Sequence, residues 1–281
     1  MMFKKMKGLL SLVICISMLC GIMPITSFAA EGDAASVTFN GSTEYYSSIA
    51  QAWDAAVALN TTAENKATIK LLDDCETGKT LANYSSYLVL DTNGKTLTTP
   101  DAIHGKNEIL CGIGAEGGSL EIIGNGTITG ITLYDYGRAI VLITGGEVYV
   151  NGVTIRNTGG SAGSAVRVEG GTFHFLEGYL ISASEYALYA AKGKVYLYSG
   201  KIESNGRLAM AADETSLDIQ ICYSDKPLYF VDNDTDNWGL ISSMRKVHLA
   251  DNLIMDLEYS DNSDGSDSAK LKNVTEISGT A

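Results

Sequence analysis

The amino-acid sequence predicts an all-β chain that folds as a parallel β-solenoid with one short helix near its N-terminus. Three observations lead to this prediction: a period of about 22 residues in the middle of the chain, short strands of alternating character within each period, and 30 glycines against only 3 prolines in 281 residues. Glycine supplies the tight turns that many short strands require. Hydrophobic residues make up 45% and charged residues 19%, which is typical of a globular protein.

Residues 1–29 have the three parts of a secretory signal peptide. Residues 1–7 are basic, residues 8–25 are mostly apolar, and Ser27 and Ala29 place small side chains at positions −3 and −1 of a cleavage site. We therefore expect a protein that is secreted or located at the cell surface. The net charge of −13 would repel nucleic acid, so no nucleic-acid partner is predicted. No later stretch is long and apolar enough to form a transmembrane segment in the mature chain.

A helix is expected directly before the repeats. Ser47 or Ser48 can cap its N-terminus, and Ile49, Trp53 and Ala56 form one apolar face. The end of a solenoid exposes apolar surface that needs a cover. We expect this short N-terminal helix to be that cap.

Two sets of residues repeat with a common period. The alanines that open one strand are 26, 22 and 22 residues apart: Ala139, Ala165, Ala187 and Ala209. The apolar residues that open the next strand are 25, 22 and 22 residues apart: Val148, Phe173, Val195 and Leu217. Two independent landmarks with one period predict a stack of equivalent coils.

Each period contains three short strands separated by glycine or polar turns. Apolar residues two apart, such as Val166 and Val168, lie on one face of a strand, and Ile140 and Leu142 are expected to be the equivalent pair one coil earlier. Stacked coils place every strand about 4.8 Å from its counterparts, so inward residues form apolar ladders. Weaker copies of the pattern extend over residues 67–257.

Three segments near the start of the chain carry a family resemblance. They are Tyr-Ser-Ser-Ile-Ala-Gln-Ala-Trp-Asp-Ala-Ala at 46–56, Ala-Thr-Ile-Lys-Leu-Leu-Asp-Asp at 67–74 and Leu-Val-Leu-Asp-Thr-Asn-Gly-Lys-Thr-Leu at 88–97. Their order resembles the opening of pectate-lyase-like secreted or surface proteins of Gram-positive bacteria. The resemblance covers most of the mature chain. It implies a single-stranded right-handed parallel β-helix (β-solenoid) with a short N-terminal capping helix.

The predicted organisation has four parts. Residues 1–29 are the signal peptide, residues 30–66 are an N-terminal lead with the capping helix, residues 67–257 are the parallel β-helix, and residues 258–281 are a polar C-terminal tail. The mature chain keeps Cys75, Cys111 and Cys222 in an irregular spacing that fits neither a disulfide framework nor a zinc site. We expect these to be buried, unreactive thiols.

The resemblance implies several functions, because this superfamily contains polysaccharide lyases, glycoside hydrolases, adhesins and chains without known activity. Hydrolase members carry a paired aspartate after Asn-x-Asp, a Gly-His-Gly and an Arg-x-Lys. Here Asp73-Asp74, His104-Gly105 and Arg245-Lys246 depart from those motifs, so no catalytic residue is assigned. The leading hypothesis is a non-catalytic protein in adhesion, surface display or carbohydrate contact. The alternatives are a lyase or hydrolase with a diverged site, or a fragment of a larger surface protein.

One outward column is predicted as the ligand-binding site. Tyr149, His174 and Tyr196 are the middle residues of equivalent strands, with Glu121 expected below them and Asp218 above them. Aromatic rings with polar tips at coil spacing suit contact with a glycan, and the nearby acids favour neutral sugars. The alternative explanation is that tyrosines simply favour strands.

A calcium ion is the one cofactor that the sequence leaves open. Asp232, Asp234 and Asp236 are spaced at i, i+2 and i+4, like the start of a calcium loop. Asn237 stands where that loop needs glycine, and Ser243 stands where it needs glutamate. The alternative is a solvated acidic loop. No oligomeric state is predicted.

Overall fold

The fold is known from a computed structural model, which describes residues 29–103, 110–133, 138–160, 163–183, 186–205, 208–212, 217–222, 224–226, 228–232, 247–249, 253–254, 257–261, 267–271 and 274–279. Over these residues the chain is a β-solenoid with little helix, so the predicted fold class is confirmed. None of the helices in these ranges is long and apolar enough to cross a membrane. Residues 1–28 of the predicted signal peptide lie outside the described residues.

The regular structure is one helix, α1 (Ile49–Val57), and a long series of mostly short strands. In chain order the strands are β1 (Ala35–Phe39), β2 (Ser42–Tyr46), β3 (Ala67–Leu71), β4 (Cys75–Glu76), β5 (Leu81–Asn83), β6 (Tyr87–Asp91), β7 (Thr96–Thr98), β8 (Ala102–Ile103), β9 (Cys111–Ala115), β10 (Ser119–Ile123), β11 (Thr127–Gly130), β12 (Thr132–Leu133), β13 (Ala139–Ile143), β14 (Glu147–Asn157), β15 (Ser164–Ser182), β16 (Tyr186–Leu197), β17 (Gly200–Ser204), β18 (Leu208–Ala212), β19 (Leu217–Ile221), β20 (Leu228–Asp232), β21 (Val247–Leu249), β22 (Leu253–Ile254), β23 (Leu257–Asp261), β24 (Asp267–Leu271) and β25 (Val274–Gly279).

The strands stack in parallel to form three sheets that run along the solenoid. The first sheet contains β3, β6, β10, the first part of β14, the middle of β15, the end of β16, β19 and β21. The second sheet contains β4, β7, β11, the second part of β14, the end of β15, β17 and β20. The third sheet contains β5, β9, β13, the starts of β15 and β16, and β18.

The core consists of apolar ladders along the axis. In the first sheet, one ladder is made of residues that are in register and fully buried: Leu88, Leu120, Val148, Phe173 and Val195. Because strand side chains alternate between two faces, the residues two positions on form a second buried ladder. A single coil could not bury this surface alone, so the stacking of coils and the formation of the core are one process.

Glycines with positive φ form the corner between the third and first sheets. Gly118, Gly146, Gly171 and Gly193 have φ values of 65°, 67°, 66° and 96°. A Cβ atom on Gly171 would lie 2.5 Å from the carbonyl oxygen of Gly146, directly below it in the stack. The backbone of one coil therefore rests on the backbone of the next, and the corner has no space for a side chain.

The N-terminal residues cover the first coil with a hairpin and a helix. Strand β1 pairs antiparallel with both β2 and β3, and the hairpin turn at Asn40 and Gly41 has positive φ at both residues, as a two-residue type I′ turn requires. The sequence analysis missed this hairpin, although an Asn-Gly pair after alternating apolar residues is its usual signal.

Helix α1 confirms the predicted cap and shows which of the two serines begins it. The Ser48 side chain accepts a hydrogen bond from the backbone N–H of Gln51, so Ser48 is the N-cap. Ala52 joins the buried face that the sequence predicted. The Trp53 Nε1–H donates to the Ala82 carbonyl oxygen at 2.8 Å, which attaches the helix to the third sheet.

The alignment of strand β13 drawn from the repeats was wrong by one residue. Strand β13 pairs Ala139 with Ser164 rather than with Ala165. Val141 and Ile143 therefore point into the core, while Leu142 packs with Cys111 and Ala139 in a separate cluster on the outer face. A slip of one residue exchanges the two faces of a strand, which explains why aligning the alanines misassigned Leu142. Ile140 belongs to the main core, as predicted.

The last strands depart from the parallel pattern. Strand β25 pairs antiparallel with β20 and with β22, and β23 and β24 form an antiparallel pair. Strands β24 and β25, and β23 apart from its first residue, lie in the segment that the sequence analysis described as a polar tail. The predicted domain boundaries remain predictions.

Replacement of Gly171 by alanine should destabilise the solenoid by at least ~2 kcal/mol, because a side chain there combines an unfavourable φ with a clash against the coil below. Gly160→Ala is the matched control: it has no heavy atom within 4 Å of the added Cβ, and we expect a change below ~1 kcal/mol. Urea unfolding of both variants measures the difference. Equal stability of the two variants would contradict the inference that the glycine corner has no space for a side chain.

Val195→Asp should cost about 4 kcal/mol or more, because the residue is fully buried in an apolar ladder and the charge would have no partner. Thr68→Asp provides the control, since Thr68 is half-buried on the outer face of the first sheet between Thr38 and Val89. Thermal unfolding should show a large loss for the first variant only. A Val195→Asp protein with the wild-type melting temperature would contradict the inward assignment.

Candidate functional site

The outward column of the first sheet brings the three predicted ligand-binding residues together. Tyr149 pairs with His174, and His174 pairs with Tyr196, on three successive coils. The ring centroids of Tyr149 and His174 are 4.4 Å apart and those of His174 and Tyr196 are 4.9 Å apart. All three side chains are partly exposed. We call these three residues the aromatic column.

The rings of the aromatic column lie face to face. The planes of Tyr149 and His174 differ by 5°, and those of His174 and Tyr196 by 14°. Each inner ring face is therefore covered by its neighbour, and the column presents ring edges and polar tips to solvent. Stacked aromatic pairs of this kind contribute about 0.5–1.5 kcal/mol each beyond the area that they bury, so the column also stabilises the stack of coils.

Two carboxylates flank the lower end of the column, and each has a partner. The Tyr149 hydroxyl donates to Glu147 at 2.8 Å, and Glu121, directly below Tyr149 in the register, forms an ion pair with Lys66. Burial and the bond to Glu147 raise the pKa of Tyr149 to about 12, so its phenol stays protonated at neutral pH. The sequence analysis placed Glu121 correctly but missed Glu147, whose position two residues before Tyr149 puts it on the same face.

The upper end of the column differs from the prediction. Tyr196 pairs with Gln220, and Asp218 pairs with Lys194. The strand register places Ile219, not Leu217, above Val195, because the connection between the third and first sheets is two residues longer in this coil. A shift of two preserves the face of each residue, so only the identity of the neighbour was wrong.

The predicted calcium ligands are only partly described. The backbone of Asp232 ends strand β20, in register with Ser204, whereas Asp234 and Asp236 lie outside the described residues. Within the ranges that are described, no group of three His, Cys, Asp or Glu residues could hold a metal ion. The calcium site remains a prediction.

Cys75, Cys111 and Cys222 are free thiols; Cys111 is buried as expected, whereas Cys75 and Cys222 are only partly buried. Burial raises the pKa of Cys75 to about 11 and that of Cys111 to about 12, and it also raises the pKa of Cys222. A thiol acts as a nucleophile or metal ligand only as the thiolate, so these shifts leave little reactive form at neutral pH.

The residues compared with hydrolase motifs do not assemble into a site in the described chain. Asp73 and Asp74 are exposed in the turn between β3 and β4, where Asp74 accepts a hydrogen bond from the backbone N–H of Thr96 at 2.7 Å. His104, Arg245 and Lys246 lie outside the described residues. Asp73 and Asp74 therefore have a structural role in the turn.

Two pockets lined by described residues lie away from the aromatic column. One, of about 240 Å³, lies between the N-terminal hairpin and helix α1. The other, of about 280 Å³, lies on the outer face of the third sheet.

No protein-family model, curated protein or solved structure matches this chain.

Protonation of His174 should weaken the fold. Burial lowers the pKa of His174, while the charge of Glu147 acts in the opposite direction and only partly offsets it. The unfolded chain then binds a proton more readily than the folded chain, so stability is complete above the unfolded pKa of about 6.5 and falls as the pH drops below it. Wild type should lose more stability than His174→Phe between about pH 8 and about pH 5, measured by urea unfolding. The phenylalanine variant keeps a ring in the column and removes the titration; equal losses would contradict the pKa shift.

Proposed function

We propose that this chain is a non-catalytic secreted or surface protein that contacts neutral glycans through the aromatic column. The observation that carries the proposal is the arrangement of Tyr149, His174 and Tyr196 as partly exposed, stacked rings on three successive coils. The column is held by a continuous sheet, so its polar tips keep fixed spacing without a loop that must order on binding. Binding to a prearranged surface avoids part of the entropy cost of association.

The contact we expect is through hydrogen bonds at the ring edges. Because the inner ring faces cover one another, a sugar would meet the hydroxyl groups of Tyr149 and Tyr196 and the imidazole nitrogens of His174. The Tyr196 hydroxyl and the imidazole can donate and accept hydrogen bonds, as sugar hydroxyls do, while the Tyr149 hydroxyl, which donates to Glu147, can accept one. Glu121 and Glu147 would repel a uronic acid, which favours neutral sugars.

The partnered carboxylates support a binding role over a hydrolytic one. Glycoside hydrolysis needs one carboxyl group as acid and a second as nucleophile or base. Glu147 already accepts the Tyr149 hydroxyl, and Glu121 is paired with Lys66. The two carboxylates therefore do not form a pair in which both are free to act on a bound sugar. A lyase or hydrolase with a diverged site is the alternative that the same experiment addresses.

A glycan array probed with the mature chain, with and without calcium, tests the proposal. For any neutral glycan that binds, the double variant Tyr149→Phe/Tyr196→Phe should lower the affinity roughly fivefold or more, because it removes two hydroxyl groups and keeps both rings. Tyr87→Phe is the control, since Tyr87 is a half-buried tyrosine of the same sheet outside the column.

Unchanged affinity in the double variant would exclude the aromatic column as the binding surface. Release of reducing sugars or unsaturated products from a bound glycan would show an enzyme and overturn the non-catalytic assignment. Thermal unfolding of each variant confirms that the comparison is made on folded protein.

A further inference from the structure

The outer face of the third sheet has a depression that the aromatic column does not explain. In the first two coils the outward position of this sheet is held by Ala82 and Gly114, and in the third coil by Leu142. Two small residues followed by a large one leave a hollow of about 280 Å³. Its floor is the sheet itself, and Tyr84, Leu110 and Glu116 on its walls lie in the segments next to the strands.

The walls of this depression are apolar and exposed. Tyr84 is 67% exposed and Leu110 is 50% exposed, and both line the same pocket. They are the two large hydrophobic residues that are strongly exposed in the described part of the chain. Single exposed apolar residues are normal on a protein surface, but two such residues facing one hollow indicate a binding surface.

The threonine and carboxylate oxygens of the pocket accept hydrogen bonds from a ligand. The Thr80 hydroxyl already donates to the Cys111 carbonyl oxygen at 2.7 Å, and the Thr144 hydroxyl donates to the Ala115 carbonyl oxygen at 3.4 Å. Glu116 is an exposed carboxylate on the same rim, with no ion pair among the described side chains. A ligand that fits must therefore supply hydrogen-bond donors and one apolar face.

We propose that this pocket binds one ring of a neutral sugar. The C–H face of a pyranose would rest against the Tyr84 ring, and its hydroxyl groups would donate to Glu116 and to the two threonine oxygens. An anionic sugar is disfavoured, because it would bring a second negative charge next to Glu116. The pocket lies on a different sheet from the aromatic column, so the two proposals can fail independently.

The geometry of Gly114 offers a variant that fills the pocket without disturbing the strand. A Cβ atom on Gly114 would lie 3.4 Å from the Cys111 Sγ atom and 3.8 Å from the Thr80 Cγ2 atom, which are ordinary contacts. Gly112, two residues earlier, could not accept one, because its Cβ would lie 2.3 Å from that of Thr99. Gly114 therefore accommodates a Cβ atom, and we expect the side chain of Gly114→Val to occupy the space of the sugar. Thermal unfolding of the variant checks that it is folded.

The test is calorimetric titration of the mature chain with cellotetraose, xylotetraose and chitotetraose, and with trigalacturonate as the anionic comparison. We expect saturable binding of at least one neutral tetrasaccharide. Tyr84→Ala should weaken it roughly fivefold or more, and Gly114→Val should abolish it. Tyr45→Ala, at a half-exposed tyrosine of the N-terminal hairpin, should leave it unchanged.

Four results would overturn the proposal: no saturable binding of any neutral tetrasaccharide, tighter binding of trigalacturonate, affinity unaffected by Gly114→Val, or a self-association in sedimentation that Tyr84→Ala removes. The last would identify a second copy of the chain as the occupant.

Binding that is lost in Tyr149→Phe/Tyr196→Phe but kept in Gly114→Val would support the aromatic column and reject this pocket. The reverse pattern would support the pocket and reject the column.

Discussion

The direct contact between backbones at the glycine corner is the constraint on which the solenoid depends. At Gly146, Gly171 and Gly193, an added Cβ atom would lie within 2.7 Å of a backbone atom of the coil below. Glycine at this corner allows neighbouring coils to reach the spacing of hydrogen-bonded strands, and that spacing places equivalent residues above one another. The apolar ladders inside and the aromatic column outside both follow from it. A coil that could not close at this corner would move every ladder out of register.

The same stacking decides how the outer faces can be used. A column of flat side chains at strand spacing is close enough for ring-on-ring contact, and Tyr149, His174 and Tyr196 make that contact. Aromatic residues on successive coils therefore satisfy one another first and leave their edges for a ligand. The ring of Tyr84 is 67% exposed and has no ring stacked on it among the described residues. The proposed sugar contacts at the two places would therefore differ: ring edges at the aromatic column and a ring face at Tyr84.

Much of this arrangement could be predicted from sequence, because two periodicities act together. The strand period of two identifies Val195 as inward and His174 as outward, and the repeat places His174 between Tyr149 and Tyr196. The residue that follows Tyr196 in the column could not be found in this way. The two extra residues before β19 lengthen that coil, so the period of 22 residues gives the wrong neighbour. Leu142 of strand β13 was predicted wrongly for another reason. Residues 140–143 of that strand are all apolar, so the alternation of polar and apolar residues could not show which face was inside. Tyr84 and Leu110 lie in early coils where the repeat is weak, and nothing in the spacing brings them together.

The antiparallel strand at each end has a consequence for association between molecules. A stack of parallel coils exposes unpaired N–H and C=O groups at its ends, and an identical chain could extend the stack there. Strand β1 occupies the free edge of β3 in the first sheet, and β25 occupies the far edge of β20 in the second. An incoming coil would meet strands that run in the wrong direction for its own pattern. Head-to-tail growth into fibres is therefore opposed at these two edges.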